Sequence, residues 1–305
     1  MSFLSVAIIA VSCVLSGEEA DGCLQEYLLN NEGQVQGQVA GVQTEQQVQP
    51  PVFTGQSTDV VLTAQSALVW DETTGAILYE KNAYERRPVA SLSKLLSVLV
   101  VRDQLNTTDL VEIPPVVREV QRQGVDVRLP IGGHASVYDL LAAGLIASAN
   151  DALVTLAVAA SGSEAAFVEQ ANEFARSNAL FNTHIRNATG LSGGEQYSTA
   201  IDIKGLFQLA YRDQVLRNLM VSENGVLRTR EGQVRHYKST NKLLGTYFPV
   251  LAAKTGYTRE AGENLVIMTY GDLGQRLGAV VLGSEGRFQD MKTLVEWVKR
   301  NYTWY

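Results

Sequence analysis

A chain of 305 residues is long enough for one large domain or two ordinary ones, and its 46% hydrophobic content is enough to build a core. A formal net charge of −7 without a basic stripe excludes nucleic acid as an expected partner, because nothing is set out to neutralise phosphates. With only two cysteines, Cys13 and Cys23, a disulfide scaffold and a cysteine zinc site are excluded too.

In chain order, the first feature is the apolar run FLSVAIIAVSCVL, from Phe3 to Leu15. It is short for a membrane span and the right length for a signal-peptide core. Ser16, Gly17 and Ala20 offer small residues for cleavage, but no Lys or Arg precedes Lys81. Either the true start lies upstream or the α-amine alone supplies the leader's charge. The AVSC stretch ending at Cys13 is a weak match to a lipoprotein cleavage box. Residues 1–25 are therefore expected to be a signal peptide or N-terminal anchor. The protein is expected to be exported to the cell envelope, on its extracytoplasmic face or in the periplasm. Residues 26–58 are dominated by Gln, Gly and Val, with Pro50 and Pro51, and read as a flexible linker. Residues 59–305 are expected to form the folded domain.

Within that domain, SALVWDETTGAILYEKN alternates around a turn at 72–75 and predicts a hairpin of 67–70 against 76–79. A helix follows from Ser91, and the middle of the chain is helix-rich. SVYDLLAAGLIA predicts a helix start at Ser136, with Asp139 three residues on, and SGSEAAFVEQANEFARS predicts one at Ser161 with Glu164. Phe167, Ala171 and Phe174 share a stripe on the second, and STAIDIKGLFQLAYRD reads as another amphipathic helix. VLAAKTGYT is a short strand, and a second hairpin pairs 264–270 with 277–283 around Gly271 and Gly274. DMKTLVEWVKRNY closes the chain as a helix carrying Leu294, Val295 and Val298. Strands at both ends with helices between predict an α/β (α+β) fold, an antiparallel sheet with an inserted helical lobe.

The candidate chemistry begins at PVASLSKLLSVLVV. Leu92, Leu95, Leu96 and Leu99 give a core face, yet Lys94 lies among them. Residues three apart share a helix face, so Ser91 and Lys94 can touch. Pro88 places Ser91 in a first helical turn, where free N–H groups favour a developing anion. Lysine serves as a base only when desolvation or a second cation lowers its pKa. Spacing alone does not single out this pair, since Ser239 and Lys242 repeat it. Ser148 and Asn150 form a second candidate, at a loop tip between helices. Ser-x-Asn recurs at Ser222/Asn224 and Ser239/Asn241, and either Ser148 or Asn150 could simply cap the next helix. Lys254-Thr255-Gly256 occurs once, and its glycine allows another chain to approach an edge strand. His134, His184 and His236 are scattered, with no ligand spacing, so neither a metal nor a cofactor is expected.

In this order the three motifs are those of β-lactamases and penicillin-binding proteins. RRPVASLSKLL, ASANDA, NATGLSGGEQYSTAIDIKGL, STNKLL and KTGYTREAGENLV resemble the D-alanyl-D-alanine carboxypeptidase family of low-molecular-mass penicillin-binding proteins, over nearly all of residues 60–305. The resemblance implies a β-lactamase/transpeptidase-like fold acting on peptidoglycan stem peptides, with β-lactams as covalent inhibitors. It implies that Ser91 is the nucleophile, Lys94 its base and Ser148 the proton relay to the departing D-alanine. Asn150 would hold the substrate backbone, Lys254 would supply the second cation, and Thr255 would bond the terminal carboxylate. Gly256 belongs to the same strand motif, and the N–H groups of Ser91 and Tyr257 would hold the oxyanion. Arg287, in SEGRFQD, matches a family arginine that helps bind the carboxylate, although the loop before it is about two residues short. A D,D-endopeptidase is the alternative with the same chemistry, and a non-catalytic wall-binding homologue is a further one. A β-lactamase is disfavoured, because no Glu-x-x-Leu-Asn stretch lies between Asn150 and Lys254. Many family members carry a further C-terminal domain and anchor. Only about eighteen residues follow Arg287, so any membrane tether is expected at the N-terminus.

Overall fold

The turn Asp71–Gly75 shows how the sheet starts. Asp71 Oδ1 accepts from the backbone N–H and the hydroxyl of Thr74, and Gly75 takes φ +75°. The side chain thereby fixes a loop that Gly75 can close without a Cβ penalty. This hairpin belongs to a computed structural model that describes residues 49–57 and 59–305. The expected leader, Cys13 and most of the expected linker lie outside the described residues.

Strands β1 (Val52–Phe53), β2 (Ser66–Asp71) and β3 (Ile77–Lys81) come first. A tight turn at Ala90–Ser93 runs into α1 (Lys94–Gln104). The lobe that follows holds β4 (Leu110–Glu112), α2 (Val117–Val120), β5 (His134–Ser136), α3 (Val137–Ala142), α4 (Asn150–Ser161) and α5 (Glu164–Ser177). Then come α6 (Ala200–Arg212), α7 (Gln214–Met220) and the hairpin β6 (Asn224–Arg228) and β7 (Val234–Lys238). The chain returns to the sheet with β8 (Ala252–Thr258), β9 (Gly262–Tyr270) and β10 (Arg276–Ser284). It ends with α8 (Arg287–Asn301) and β11 (Tyr302–Thr303).

The main sheet has the order β3-β2-β10-β9-β8, with every neighbouring pair antiparallel. N- and C-terminal strands thus build one sheet, and the helices between them form the lobe. Successive side chains of a strand point to opposite faces. Leu68, Trp70, Val266, Met268, Val280 and Leu282 enter the core beneath the lobe. Ala67, Val69, Leu265, Ile267, Ala279 and Val281 instead enter the core beneath α8, with Leu294, Val295 and Val298. Both faces are covered, so the central strands are buried along nearly their whole length.

Three local expectations are corrected. The cap of α5 is Ser163, whose hydroxyl accepts from Ala166 N. Ser161 instead ends α4, and Gly162 at φ +78° separates the two helices. Ser91 lies not in an α-helical turn but in the tighter Ala90–Ser93 turn before α1. The described end of the segment expected as linker is tied down. Val52 pairs with Thr303 and Phe53 with Tyr302, and Asn301 bonds both Thr54 and Ser57. Phe53 packs against the rings of Trp297 and Tyr302, which gives that strand an apolar anchor. Among the described residues no single helix is long and apolar enough to cross a membrane.

Candidate active site

The nucleophile turn is held from both ends. Leu92, Leu95 and Leu96 are completely buried, and Leu99 packs against the same core from a half-buried position. This anchoring leaves Ser91 facing the cleft, while Lys94 is drawn wholly inside. Lys94 Nζ donates to Ser91 Oγ at 2.8 Å, to Asn150 Oδ1 at 2.8 Å and to the Thr189 carbonyl at 2.5 Å. Its pKa lies well below the ordinary lysine value, first because burial removes water and second because Lys254 places another positive charge nearby.

The Ser148 side chain reaches the site through a strained backbone. The last turn of α3 widens over residues 143–147, and Ser148 follows with φ +62° and ψ +31°. This left-handed conformation, unusual for a non-glycine residue, points the hydroxyl at β8. Lys254 Nζ donates to Ser148 Oγ at 2.9 Å. Neither Ser148 nor Asn150 caps α4, whose cap residue is Ala149 without a side-chain bond. Asn150 is committed elsewhere. Its Oδ1 accepts from Lys94, and its Nδ2 donates to the Gln123 carbonyl at 3.1 Å.

Edge strand β8 forms the opposite wall. A Cβ at Gly256 would stand 2.7 Å from the Val89 carbonyl and 3.2 Å from Ser91 N, so only glycine lets the strand lie against the nucleophile turn. Lys254 is buried, and its pKa falls to about 7, mainly through burial and then through the charge of Arg287. Thr255 Oγ1 lies 2.5 Å from Thr240 Oγ1. Tyr257 is exposed. Arg287 opens α8 and donates through Nη1 to the Gly256 carbonyl at 2.8 Å, while its Nε makes no hydrogen bond. Burial lowers its pKa, and the Glu263 carboxylate opposes that shift.

Three parts of the chain therefore meet in one cleft. Ser91, Lys94 and Asn150 are joined by hydrogen bonds, as are Ser148 and Lys254. Lys94 senses the positive charge of Lys254. A neutral Lys94 amine can take the proton of a hydroxyl 2.8 Å away, which is what makes serine a competent nucleophile. Sequence reasoning missed three participants: the carbonyls of Thr189 and Gln123, and the Thr240 hydroxyl. STNKLL carried the signal for Thr240. A backbone carbonyl leaves none. Among the described residues, no group of three or more His, Cys, Asp or Glu side chains could hold a metal ion.

The D-alanyl-D-alanine carboxypeptidase family model matches residues 52–286, most of the described chain. The chain belongs to that family. D-alanyl-D-alanine carboxypeptidase DacF of Bacillus subtilis is 32% identical over 202 residues, covering 65% of this chain and 52% of that protein. D-alanyl-D-alanine endopeptidase of Pseudomonas aeruginosa is 31% identical over 256 residues, covering 82% of each. The crystal structure of the Streptomyces K15 DD-transpeptidase superposes with a TM-score of 0.74 at 26% identity, covering 79% of this chain and 99% of that one. The chain thus spans about half the length of DacF, and nearly all of the K15 fold. The family's match begins at residue 52, the first residue of β1, and so takes in the last seven residues of the segment expected as linker.

Proposed function

We propose that the protein is a serine-type D-Ala-D-Ala carboxypeptidase that removes the terminal D-alanine of peptidoglycan stem peptides. Ser91 Oγ attacks the carbonyl between the two terminal D-alanines as its proton passes to neutral Lys94 Nζ. The tetrahedral oxyanion sits on the N–H groups of Ser91 and Tyr257. Ser148 gives a proton to the departing D-alanine amine, and the Lys254 ammonium beside it restores that proton. Thr255 and Arg287 hold the terminal carboxylate. Asn150 fixes Lys94 and, once Gln123 releases its amide, can meet the substrate backbone. Water then hydrolyses the acyl-enzyme. β-Lactams enter the same sequence and stop at the acyl-enzyme.

The observation that supports this best is the buried Lys94 amine 2.8 Å from Ser91 Oγ, with Lys254 lowering its pKa. The test is intact-mass spectrometry after penicillin exposure, with peptide mapping, followed by assay of D-alanine release from a peptide ending in D-Ala-D-Ala. The expected result is one adduct on Ser91 and free D-alanine. A protein that never takes the label is a non-catalytic wall-binding homologue instead. Residues 1–25 act as leader or N-terminal tether in this reading, and the protein works in the cell envelope.

A second reading is D,D-endopeptidase, favoured by one specific observation. The relative named as an endopeptidase is matched over 82% of its length, whereas DacF is matched over 52%. Digestion of cross-linked peptidoglycan separates the two: loss of dimeric muropeptides marks the endopeptidase, and D-alanine release without that loss marks the carboxypeptidase.

A further inference from the structure

Across the β6–β7 hairpin, Asn224 pairs with Lys238, Val226 with His236 and Arg228 with Val234. Cross-strand partners share a face and successive residues alternate, so Arg228, His236 and Lys238 stand on the side opposite buried Leu227 and Tyr237. All three are exposed, and so is Arg230 just beyond β6. Glu231 is the one carboxylate between Asn224 and Lys238 in the sequence. It is turned onto His134, whose backbone N–H donates to it at 2.9 Å and whose Nδ1 lies 3.0 Å away. Among the described residues, no salt bridge reaches Arg228, Arg230 or Lys238.

The hairpin borders the active site. Thr240, two residues past Lys238, meets Thr255 on the edge strand. Arg235, on the inner face, donates through Nε to the Arg128 carbonyl at 3.1 Å and so ties the hairpin to loop 121–129. That loop supplies the Gln123 carbonyl that accepts from Asn150. It also carries Arg122 and Arg128, both exposed and, among the described residues, without a salt bridge. The lobe side of the cleft is therefore rimmed by cations, in a chain whose net charge is −7. The loop and the hairpin are about 100 residues apart, so no stripe shows in the sequence and only the fold assembles one. Like charges held together without partners repel, and such a rim attracts an anion.

A stem peptide in the cleft stays attached to its polymer. Every uncrosslinked stem ends in a carboxylate, so the polymer is a polyanion that lies beside this rim whenever the cleft is filled. We propose that the rim is an exosite for peptidoglycan, where carboxylates of neighbouring stems pair with Arg122, Arg128, Arg228, Arg230 and Lys238. The inference takes the identity of the polymer from the carboxypeptidase reading above. It adds a hold on the polymer that a free peptide does not receive, and this hold raises the local concentration of stems at the cleft.

The full chain is compared with Arg228→Glu/Arg230→Glu. A control pair, Arg212→Glu/Arg276→Glu, changes net charge equally at exposed positions on other elements. Wild-type protein should sediment with purified peptidoglycan at low salt and be released in about 1 M salt, where the Debye length falls to about 3 Å. Arg228→Glu/Arg230→Glu should release D-alanine from a soluble D-Ala-D-Ala peptide within about twofold of the wild-type rate, but from peptidoglycan at least about fivefold more slowly. The control pair should match the wild-type protein on both substrates. A reversed pair that binds and processes peptidoglycan as the wild-type protein does, or a control pair that loses as much, overturns the exosite. Vesicles of phosphatidylglycerol and phosphatidylcholine test the other polyanion. Loss of vesicle binding by the reversed pair, with its hold on peptidoglycan intact, overturns the exosite in favour of a membrane surface. Sedimentation keeps the two ideas apart. No D-alanine from either substrate with wild-type protein removes the carboxypeptidase reading, whereas salt-sensitive sedimentation lost in the reversed pair supports the exosite by itself.

Discussion

Lys94 is completely buried, while Lys242, at the same three-residue spacing from Ser239, stands in solvent. The two hydroxyls also differ. Ser91 Oγ accepts from its lysine, whereas Ser239 Oγ accepts from the backbone N–H of Asn241 and is spent on shaping a turn. Lys94 has three acceptors and a second buried cation nearby, and its pKa falls. Spacing therefore brings a serine and a lysine together but does not make a base. Desolvation and a neighbouring charge do that, and the charge comes from a strand some 160 residues further along the chain.

The sharpest way to break this comparison is to remove the hydroxyl it concerns. Ser91→Ala should reduce penicillin acylation by at least about 10⁴-fold, with the circular dichroism spectrum unchanged. Next is the base. Lys94→Ala should slow acylation by about 10²–10⁴-fold, the range of general-base contributions. Stopped-flow labelling measures this directly, and a full rate at neutral pH would contradict the assignment.

Lys254 tests the environment rather than the pair. Acylation needs Lys94 neutral, so the rate climbs as pH rises through the Lys94 pKa. Lys254→Met removes the neighbouring positive charge, so the Lys94 pKa rises and the acid limb of the kcat/KM profile should move to higher pH. Stability should respond as well. Between about pH 7 and the ordinary lysine range, the unfolded chain holds a proton that folded Lys254 has released. More protons are bound in the unfolded state, so unfolding free energy increases with pH there. Urea titrations at pH 7 and about pH 9 should show that rise in the wild-type protein and a smaller one in Lys254→Met. A smaller catalytic effect is expected at Arg287. Arg287→Ala should raise KM for a D-Ala-D-Ala peptide by about tenfold with less change in kcat, as expected for lost carboxylate binding.

How far the sequence reaches can be judged from particular elements. The β2–β3 and β9–β10 hairpins of the main sheet were legible, because alternating side chains enter two cores and polar turns bound them. The β6–β7 hairpin was not. Only Leu227 and Tyr237 are buried along its two strands, so almost no alternation is left to read. The start of α5 was misplaced by two residues because Ser161 and Ser163 flank Gly162, and both fit a capping pattern. The pairing of Phe53 was hidden because its partner, Tyr302, is about 250 residues away. At the site, the motif residues carry side-chain chemistry and show in the sequence. The Thr189 and Gln123 carbonyls that hold Lys94 and Asn150 belong to the backbone, and any residue could supply them.

The smallest expected effect is also the cleanest control on the comparison. Lys242→Ala removes an ammonium at the same Ser-x-x-Lys spacing, from a side chain that water already surrounds. An exposed lysine has no desolvation to release, and a surface substitution of this kind changes stability by within about 0.5 kcal/mol. Penicillin acylation and its pH profile should both match the wild-type protein. Its neighbour Thr240 touches Thr255, so the segment itself lies beside the site, and proximity alone is held constant. A displaced pH profile in Lys242→Ala would mean that surface charge on this segment sets the Lys94 pKa. Burial and Lys254 would then no longer account for it.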